Sequence, residues 1–239
     1  MEGTIVNAVA VIAGGTAGVL LRRRFPERMR ETMMMGVGLA TLLIGFQMAL
    51  QTRNVLGVIL SLAAGAVIGE ALHIEEGIEA LGRWAEARVG TRGGSAGSVA
   101  DAFVTSSLLF CVGPMTVLGA IQDGLGQPPL LLYTKSLLDG VSAVAIGAAL
   151  GAGVLLSAGT VLAYQGAITL AAGTVQTVMT PEMTRELTAT GGVLIVGLGL
   201  GILQIRRIRV GGLLPALLVS IALTAGMPWL REVGRALGL

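Results

Sequence analysis

The 239-residue sequence predicts an all-α polytopic membrane protein of about eight transmembrane helices. Spans 1–3 and 6–8 are expected to form an inverted-topology repeat around two central helices. Three observations lead there. The chain is 54% hydrophobic and only 13% charged, where soluble domains carry roughly a quarter charged residues. Apolar runs of roughly 20 residues, each long enough to cross a bilayer core, recur from end to end. And one charged hexapeptide pattern, P-E-x-x-R-E, occurs twice, as PERMRE at 26–31 and PEMTRE at 181–186.

The eight expected spans are 3–21, 32–50, 54–72, 101–122, 135–156, 159–178, 187–205 and 210–227. The stretch from Lys135 to Thr180 is too long for one helix, and Ser157-Ala158-Gly159 is the expected turn within it. Residues 74–90 place Ile74, Ile78, Leu81, Trp84 and Ala85 on one helical face, the pattern of a helix lying on the membrane surface. A flexible TRGGSAGS tract follows, and PWLREVGRALGL forms a second, shorter amphipathic candidate. The whole is one membrane domain: repeat A at 1–72, surface helix and linker at 73–100, central pair at 101–156, repeat B at 157–227 and a tail at 228–239.

Basic residues orient the spans. With the N-terminus outside, the inner segments carry Arg22, Arg23, Arg24, Arg28, Arg30, Arg83, Arg88, Arg92, Arg206, Arg207 and Arg209. The outer side keeps Arg53, Lys135, Arg185, Arg231 and Arg235, so an N-out, C-out topology is expected. The first basic cluster follows the first apolar run instead of preceding it, unlike a cleavable signal peptide.

A shift of 155 residues aligns more than the hexapeptide. Gly36 falls on Gly191, Leu39 on Leu194, Leu43 on Leu198, Val55 on Val210, Gly57 on Gly212 and Leu62 on Leu217. Five spans separate corresponding helices, so the copies would face opposite ways. The basic loop accordingly moves from between the first two helices in copy one (RRRFPERMR) to between the last two in copy two (RRIR). Shared apolar composition is the plainer explanation, but hexapeptide, glycines and charge reversal agree jointly on duplication, the plan of many secondary transporters.

MEGTIVNAVAVIAGG at the start, GSVADAFVTSSLLFCVGPMTVLGAIQDGL at 97–125 and YTKSLLDGVSAVAIGAALGAGVLLSA at 133–158 resemble the YqgA/YdfK-like bacterial membrane proteins, domain-of-unknown-function family number 554. The resemblance covers nearly the whole chain. It implies a multi-pass protein of the bacterial cytoplasmic (inner) membrane, of a transporter-like kind, and brings no substrate or catalytic residue with it.

The chemistry must lie in intramembrane polar groups, which are costly in lipid and face protein or water. Span four carries Asp101, Thr105, Ser106, Ser107, Cys111, Thr116, Gln122 and Asp123. Pro114 frees the carbonyl of Phe110, which needs a small cation, a water or a neighbouring hydroxyl as partner. Span five opens with KSLLDG, where Lys135 and Asp139 share a helix face. Asp123, Lys135 and Asp139 are expected to form an outer charge cluster; Glu70, His73 and Asp101 an inner one, framing a pathway between spans three, four and five. Interfacial anchoring is the competing role for the same charges. Asn7, Gln47 and Gln165 are neutral amides at membrane depth. Asn7 and Gln165 fall near equivalent repeat positions and could meet on the pseudo-two-fold axis, as an interhelical hydrogen bond or a substrate contact. Gly14/Gly18, Gly65/Gly69, Gly147/Gly151 and Gly197/Gly201 are expected helix-packing seams, which also admit a homo-oligomer.

Other chemistries lack support. Gly93-Gly94-Ser95-Ala96-Gly97 matches G-x-S-x-G but sits in a polar linker. His73 has too few ligand-type neighbours for a metal site. No enzyme activity, cofactor, metal or nucleic-acid partner is expected; the partners are the lipid bilayer and a small solute or ion. The single cysteine, Cys111, excludes an intrachain disulfide. Two functional readings remain: a secondary transporter or channel for a small ion or small polar solute, or a non-transporting membrane scaffold or assembly factor that binds partner proteins.

Overall fold

A computed structural model describes residues 1–22, 24, 26–78, 80, 96–206 and 208–236. The described residues are helical throughout, with short connections and no strand. In chain order the helices are α1 (Glu2–Arg22), α2 (Glu27–Ala49), α3 (Val55–Ala71), α4 (Ala96–Cys111), α5 (Pro114–Gly124), α6 (Leu130–Ala149), α7 (Gly153–Leu170), α8 (Ala172–Val178), α9 (Pro181–Ile202) and α10 (Pro215–Ala236). A single 3₁₀ turn, Gly211–Leu213, precedes α10. Residues 74–78 are also helical.

Among the described residues, five helices are long and apolar enough to cross a membrane: Glu2–Arg22, Glu31–Ala49, Leu130–Ala149, Gly153–Leu170 and Pro181–Ile202. A sixth span is formed if Val99–Cys111 and Met115–Gly124, bent by 62°, count as one. Val55–Ala71 and Gly211–Gly226 are shorter apolar helices. Large apolar side chains cover the outside: Ile5, Val9 and Ile12 on α1, Leu39, Leu43 and Phe46 on α2, Leu137, Leu138 and Val141 on α6 are all exposed. So broad an apolar surface suits lipid and would be untenable in water.

The hexapeptide stands at the start of both α2 and α9, and helix-end physics explains its composition. Pro26 precedes α2 with φ −57°, and Pro181 is the first residue of α9, positions where a missing N–H costs nothing. Glu182 lies in the first turn of α9, where the helix dipole favours a carboxylate. Thr180 completes the α9 cap by accepting the Met183 N–H at 3.2 Å.

Glycine sets the packing. A Cβ on Gly14 would lie 2.1 Å from the carbonyl oxygen of Gly140, and one on Gly18 2.3 Å from that of Val144. Gly147 faces Gly15 and Gly18 from the other side, so α1 and α6 meet backbone to backbone. Gly65 and Gly69 admit Ala216 and Gly212 in the same way, seating α3 on α10 and its leading turn. Gly197 and Gly201 depart from expectation: the nearest atom to a Cβ on Gly197 is 3.2 Å away, and around Gly201 there is open space. α2 lies along α9, and α4 along α7. One buried apolar cluster, including Val11, Phe110, Ala143, Ile146, Leu150 and Val154, joins α1, α4, α6 and α7.

The turn expected at Ser157-Ala158-Gly159 lies earlier. α6 ends at Ala149 and α7 starts at Gly153, because Gly151 takes the left-handed conformation (φ +98°) that ends a helix with least strain. Ser157 is instead inside α7, its hydroxyl donating to the Val154 carbonyl at 2.6 Å. Of the expected surface helix, Ile74 and Ile78 are half-buried against protein, with Ile78 packed on the α4–α9 core. Leu81, Trp84 and Ala85, and residues 91–95 of the TRGGSAGS tract and of the G-x-S-x-G match, lie outside the described residues, whereas Ala96, Gly97 and Ser98, expected in the linker, open α4. The backbone of the C-terminal amphipathic candidate continues α10 as far as Ala236.

The glycine seam yields a paired prediction. Gly14→Ala should lower the melting temperature of the detergent-solubilised protein, by roughly 1–3 kcal/mol of overpacking. Gly36→Ala, whose Cβ meets nothing within 4 Å, should leave it unchanged or raise it slightly.

Candidate functional site

Helical spacing puts polar residues of three apolar helices on inward faces: Thr4 and Asn7 of α1, Lys135 and Asp139 of α6, Gln165 and Thr169 of α7. All six are buried. Lys135 Nζ is ion-paired with Asp139 Oδ2 one helical turn on, with both side chains less than a tenth exposed. The same carboxylate oxygen accepts from Asn7 Nδ2 at 3.0 Å, and Asn7 Nδ2 also donates to Gln165 Oε1 at 3.1 Å. Asn7 thus ties α1 to both α6 and α7, and the sequence expectation that Asn7 and Gln165 meet is realised.

Asp123 joins through two threonines that sequence reasoning passed over. Its carboxylate accepts from the Thr4 N–H (3.3 Å), more weakly from the Thr4 hydroxyl (3.5 Å), and from the Met1 amino group (2.9 Å). The Thr4 and Thr169 hydroxyls are 3.1 Å apart, and Thr169 donates to the Gln165 carbonyl at 2.9 Å. Asp123, Lys135 and Asp139 therefore belong to one connected network. The missed signal was spacing: Thr4 stands three residues before Asn7, and Thr169 four after Gln165.

Two side-chain atoms in this centre are buried without a partner, Asn7 Oδ1 and Gln165 Nε2. One accepts and the other donates, and each costs free energy while unpaired. The centre can thus take up a group offering both a donor and an acceptor, such as water or a small polar solute.

Other expected residues have separate roles. The Phe110 carbonyl freed by Pro114 accepts from the Thr116 hydroxyl at 3.0 Å, the neighbouring-hydroxyl solution. Ser106 donates to the Ala102 carbonyl at 2.6 Å within its own helix. Cys111 is buried beside an apolar cavity of about 350 Å³ that Ser107 and Tyr164 also line. Ser107 donates to Thr160 at 3.1 Å. Gln122 is half-buried on α5.

Three expectations are corrected. Gln47 is exposed on α2, because Gly45 rather than Gln47 faces α9 there. The inner cluster of Glu70, His73 and Asp101 is not assembled. Glu70 pairs with Arg209 at 3.3 Å, His73 stands 3.9 Å from Glu76, and Asp101 lies at a cavity among other helices. The reason is packing: α3 is held by its glycines against α10, so its end meets the loop before α10. For the same reason the polar centre joins α1, α5, α6 and α7 and does not involve α3. Glu186, not anticipated as a partner, is buried and accepts from the Thr52 hydroxyl (2.5 Å) and the Arg53 N–H (3.0 Å), tying the α2–α3 loop to α9.

At the opposite end lies a cavity of about 470 Å³, bordered by Arg22, Asp101, Thr105, Leu150, Gly201 and Gln204 among others. The Thr105 hydroxyl there is buried and without a partner. Leu150 and Ile202 line this cavity and also belong to the apolar cluster that contains Ala143 and Cys111.

Lipid-facing apolar helices around a buried network of charged and amide side chains define a polytopic helical membrane protein. The chain belongs to domain-of-unknown-function family 554, described as "Protein of unknown function (DUF554)", which it matches over residues 2–225. It is 33% identical over 225 residues to "Uncharacterized protein YqgA" of Escherichia coli (strain K12), covering 93% of this chain and 96% of that protein. It is 28% identical over 223 residues to "Uncharacterized membrane protein YdfK" of Bacillus subtilis (strain 168), covering 92% and 93%. No solved structure matches significantly.

The ion pair sets an energetic expectation. Asp139→Asn leaves Lys135 as a buried charge without its counter-charge and should destabilise the protein by about 3–5 kcal/mol. Lys135→Met with Asp139→Leu should recover most of that loss, as read from melting temperatures of the purified variants.

Proposed function

We propose that the protein is a secondary transporter or channel for a small ion or small polar solute, using the Asn7–Lys135–Asp139–Gln165 centre. The observation that carries this reading is the buried ion pair on a membrane-spanning helix, joined to two amides that each keep one unsatisfied polar atom. Burying both charges costs several kcal/mol per ion before their attraction is counted, and an apolar pair of similar volume would often serve stability as well or better. Intramembrane ionisable groups held at that cost typically mark ion or substrate pathways.

The finer architecture belongs to the same proposal: eight crossings of the bacterial inner membrane, N-out and C-out, with spans 1–3 and 6–8 as inverted copies. Three packing relations support it. α1 contacts α7, α2 contacts α9 and α3 contacts α10, so each helix touches its counterpart. The Asn7–Gln165 hydrogen bond lies where a pseudo-two-fold axis would bring equivalent helices together. The helix ends carrying Arg22, Arg206 and Arg209 fall on the side away from Asp123 and Lys135 if successive spans alternate in direction.

The test is uptake by proteoliposomes across a panel of small cations and small polar solutes, comparing the wild type with Lys135→Gln/Asp139→Asn. The double change removes both charges together and so avoids a stranded one. We expect saturable uptake of at least one panel member, reduced at least tenfold in the variant. Undiminished flux in the variant would remove the centre from the pathway. No flux of any panel member in the wild type would favour the scaffold reading instead.

A further inference from the structure

We propose that the start of α9 holds a site for one anionic phospholipid, with the phosphate on Arg185 and an acyl chain in the cavity that Arg185 borders. The proposal stands apart from the transport reading, and the binding is measured without flux.

The second copy of the hexapeptide leads to it. In PEMTRE at 181–186, Pro181 opens α9, Glu182 lies in its first turn and Glu186 holds the α2–α3 loop. Arg185 has no such task. It is half-buried and forms no hydrogen bond or ion pair with any described residue. Glu186, its neighbour in sequence, is turned to Thr52 and Arg53. A guanidinium carries five donors in a planar fork that matches a phosphate. Left without a carboxylate at the end of an apolar helix, it is open to an anion from outside the chain.

The cavity supplies the other half of the site. It measures about 340 Å³, lies between α5 and α9 and is also bordered by Gln51 beyond the end of α2. Val117, Ile121 and Thr188 are buried in its wall, whereas Leu118 is 50% exposed, so the apolar wall runs from the interior to the lipid-facing surface. The two threonines in the wall need no ligand. Thr184 and Thr188 each donate to the carbonyl one turn back on α9, at 3.2 and 2.7 Å. Charge is confined to Arg185 and the rest of the wall suits a hydrocarbon chain.

Depth and charge select the lipid. Arg185 lies about 6 Å along α9 from Pro181, where a side chain of this length reaches the headgroup layer while its stem stays on apolar surface. A zwitterionic lipid brings its own ammonium, which competes with Arg185 for the phosphate. An anionic headgroup such as phosphatidylglycerol has no such competitor.

The test is lipid retention by the purified, detergent-solubilised protein, read by native mass spectrometry and by melting temperature. The probes are dioleoyl phosphatidylglycerol, dioleoyl phosphatidylcholine and glycerol 3-phosphate. We expect one phosphatidylglycerol to be held roughly fivefold more tightly than phosphatidylcholine and to raise the melting temperature. Glycerol 3-phosphate, a head without a tail, should do neither. Arg185→Gln should bring phosphatidylglycerol down to the phosphatidylcholine level and leave the lipid-free melting temperature unchanged, because Arg185 holds nothing within the protein. Leu118→Ser should weaken both lipids about two- to fivefold by removing apolar wall. Arg53→Gln is the control: this exposed arginine lies in the loop that Glu186 ties to the same end of α9, and its loss should leave the preference intact.

Equal losses in Arg53→Gln and Arg185→Gln would reduce the preference to a general attraction between basic surface and acidic lipid, and overturn the proposal. So would equal retention of the two lipids by the wild type. Glycerol 3-phosphate bound as tightly as the lipid would overturn the lipid as occupant and leave a plain anion site.

Discussion

The close approach of α1 and α6 over glycine is the contact on which the polar centre depends. At Gly14 and Gly18 the two backbones meet with no room for a side chain, and Gly147 continues the seam. Lipid offers no hydrophobic drive to hold helices together, so packing of this closeness and interhelical hydrogen bonds must do so. The seam brings Asn7, two turns before Gly14, within 3.0 Å of Asp139. A short amide can then serve a carboxylate on the neighbouring helix. The glycines and the ion pair are parts of one arrangement: the seam sets the distance, and the hydrogen bonds set the register.

The same economy of satisfied backbone runs through the central break. Between α4 and α5 the chain bends by 62°, and a proline-broken helix in lipid must find substitutes for its lost bonds. Thr116 supplies one from within, by reaching the Phe110 carbonyl. The bend carries α5 toward α7 and α6, and Asp123, near its end, meets the first turn of α1. There the carboxylate accepts an N–H that the helix itself leaves unpaired.

The two ends of the bundle are built differently. One holds a hydrogen-bonded network with an ion pair at its heart. The other holds a cavity bordered by Arg22, Asp101 and Gln204, the last in the left-handed conformation after α9. An apolar cluster between them keeps the middle dry. Each of α1, α2 and α3 contacts one of α7, α9 and α10, and the asymmetry comes from α4, α5 and α6, which bring Asp123, Lys135 and Asp139 to one end and Asp101 and Thr105 to the other.

Sequence by itself determined the class: apolar runs of bilayer length, with helix-end chemistry at each P-E-x-x-R-E, leave little besides a membrane helix bundle. It also pointed to Lys135–Asp139, because four-residue spacing is a local property of one helix. Small residues named two of the seams correctly for the same reason. Tertiary structure alone decided which helix each face meets. Asn7 and Gln165 are 158 residues apart, and their contact depends on the α1–α7 packing. Gln47 looks like Asn7 in sequence yet faces outward, since nothing local says which side of α2 the glycines will turn to α9. The Thr4–Thr169 bridge was half legible, as spacing within each helix but not as a pairing between them. The Glu70–His73–Asp101 grouping failed because α3 docks on α10, and the position of Gly151 as the turn emerged only from its left-handed backbone. Local periodicity is written within a helix; partnership between helices is settled by packing across it.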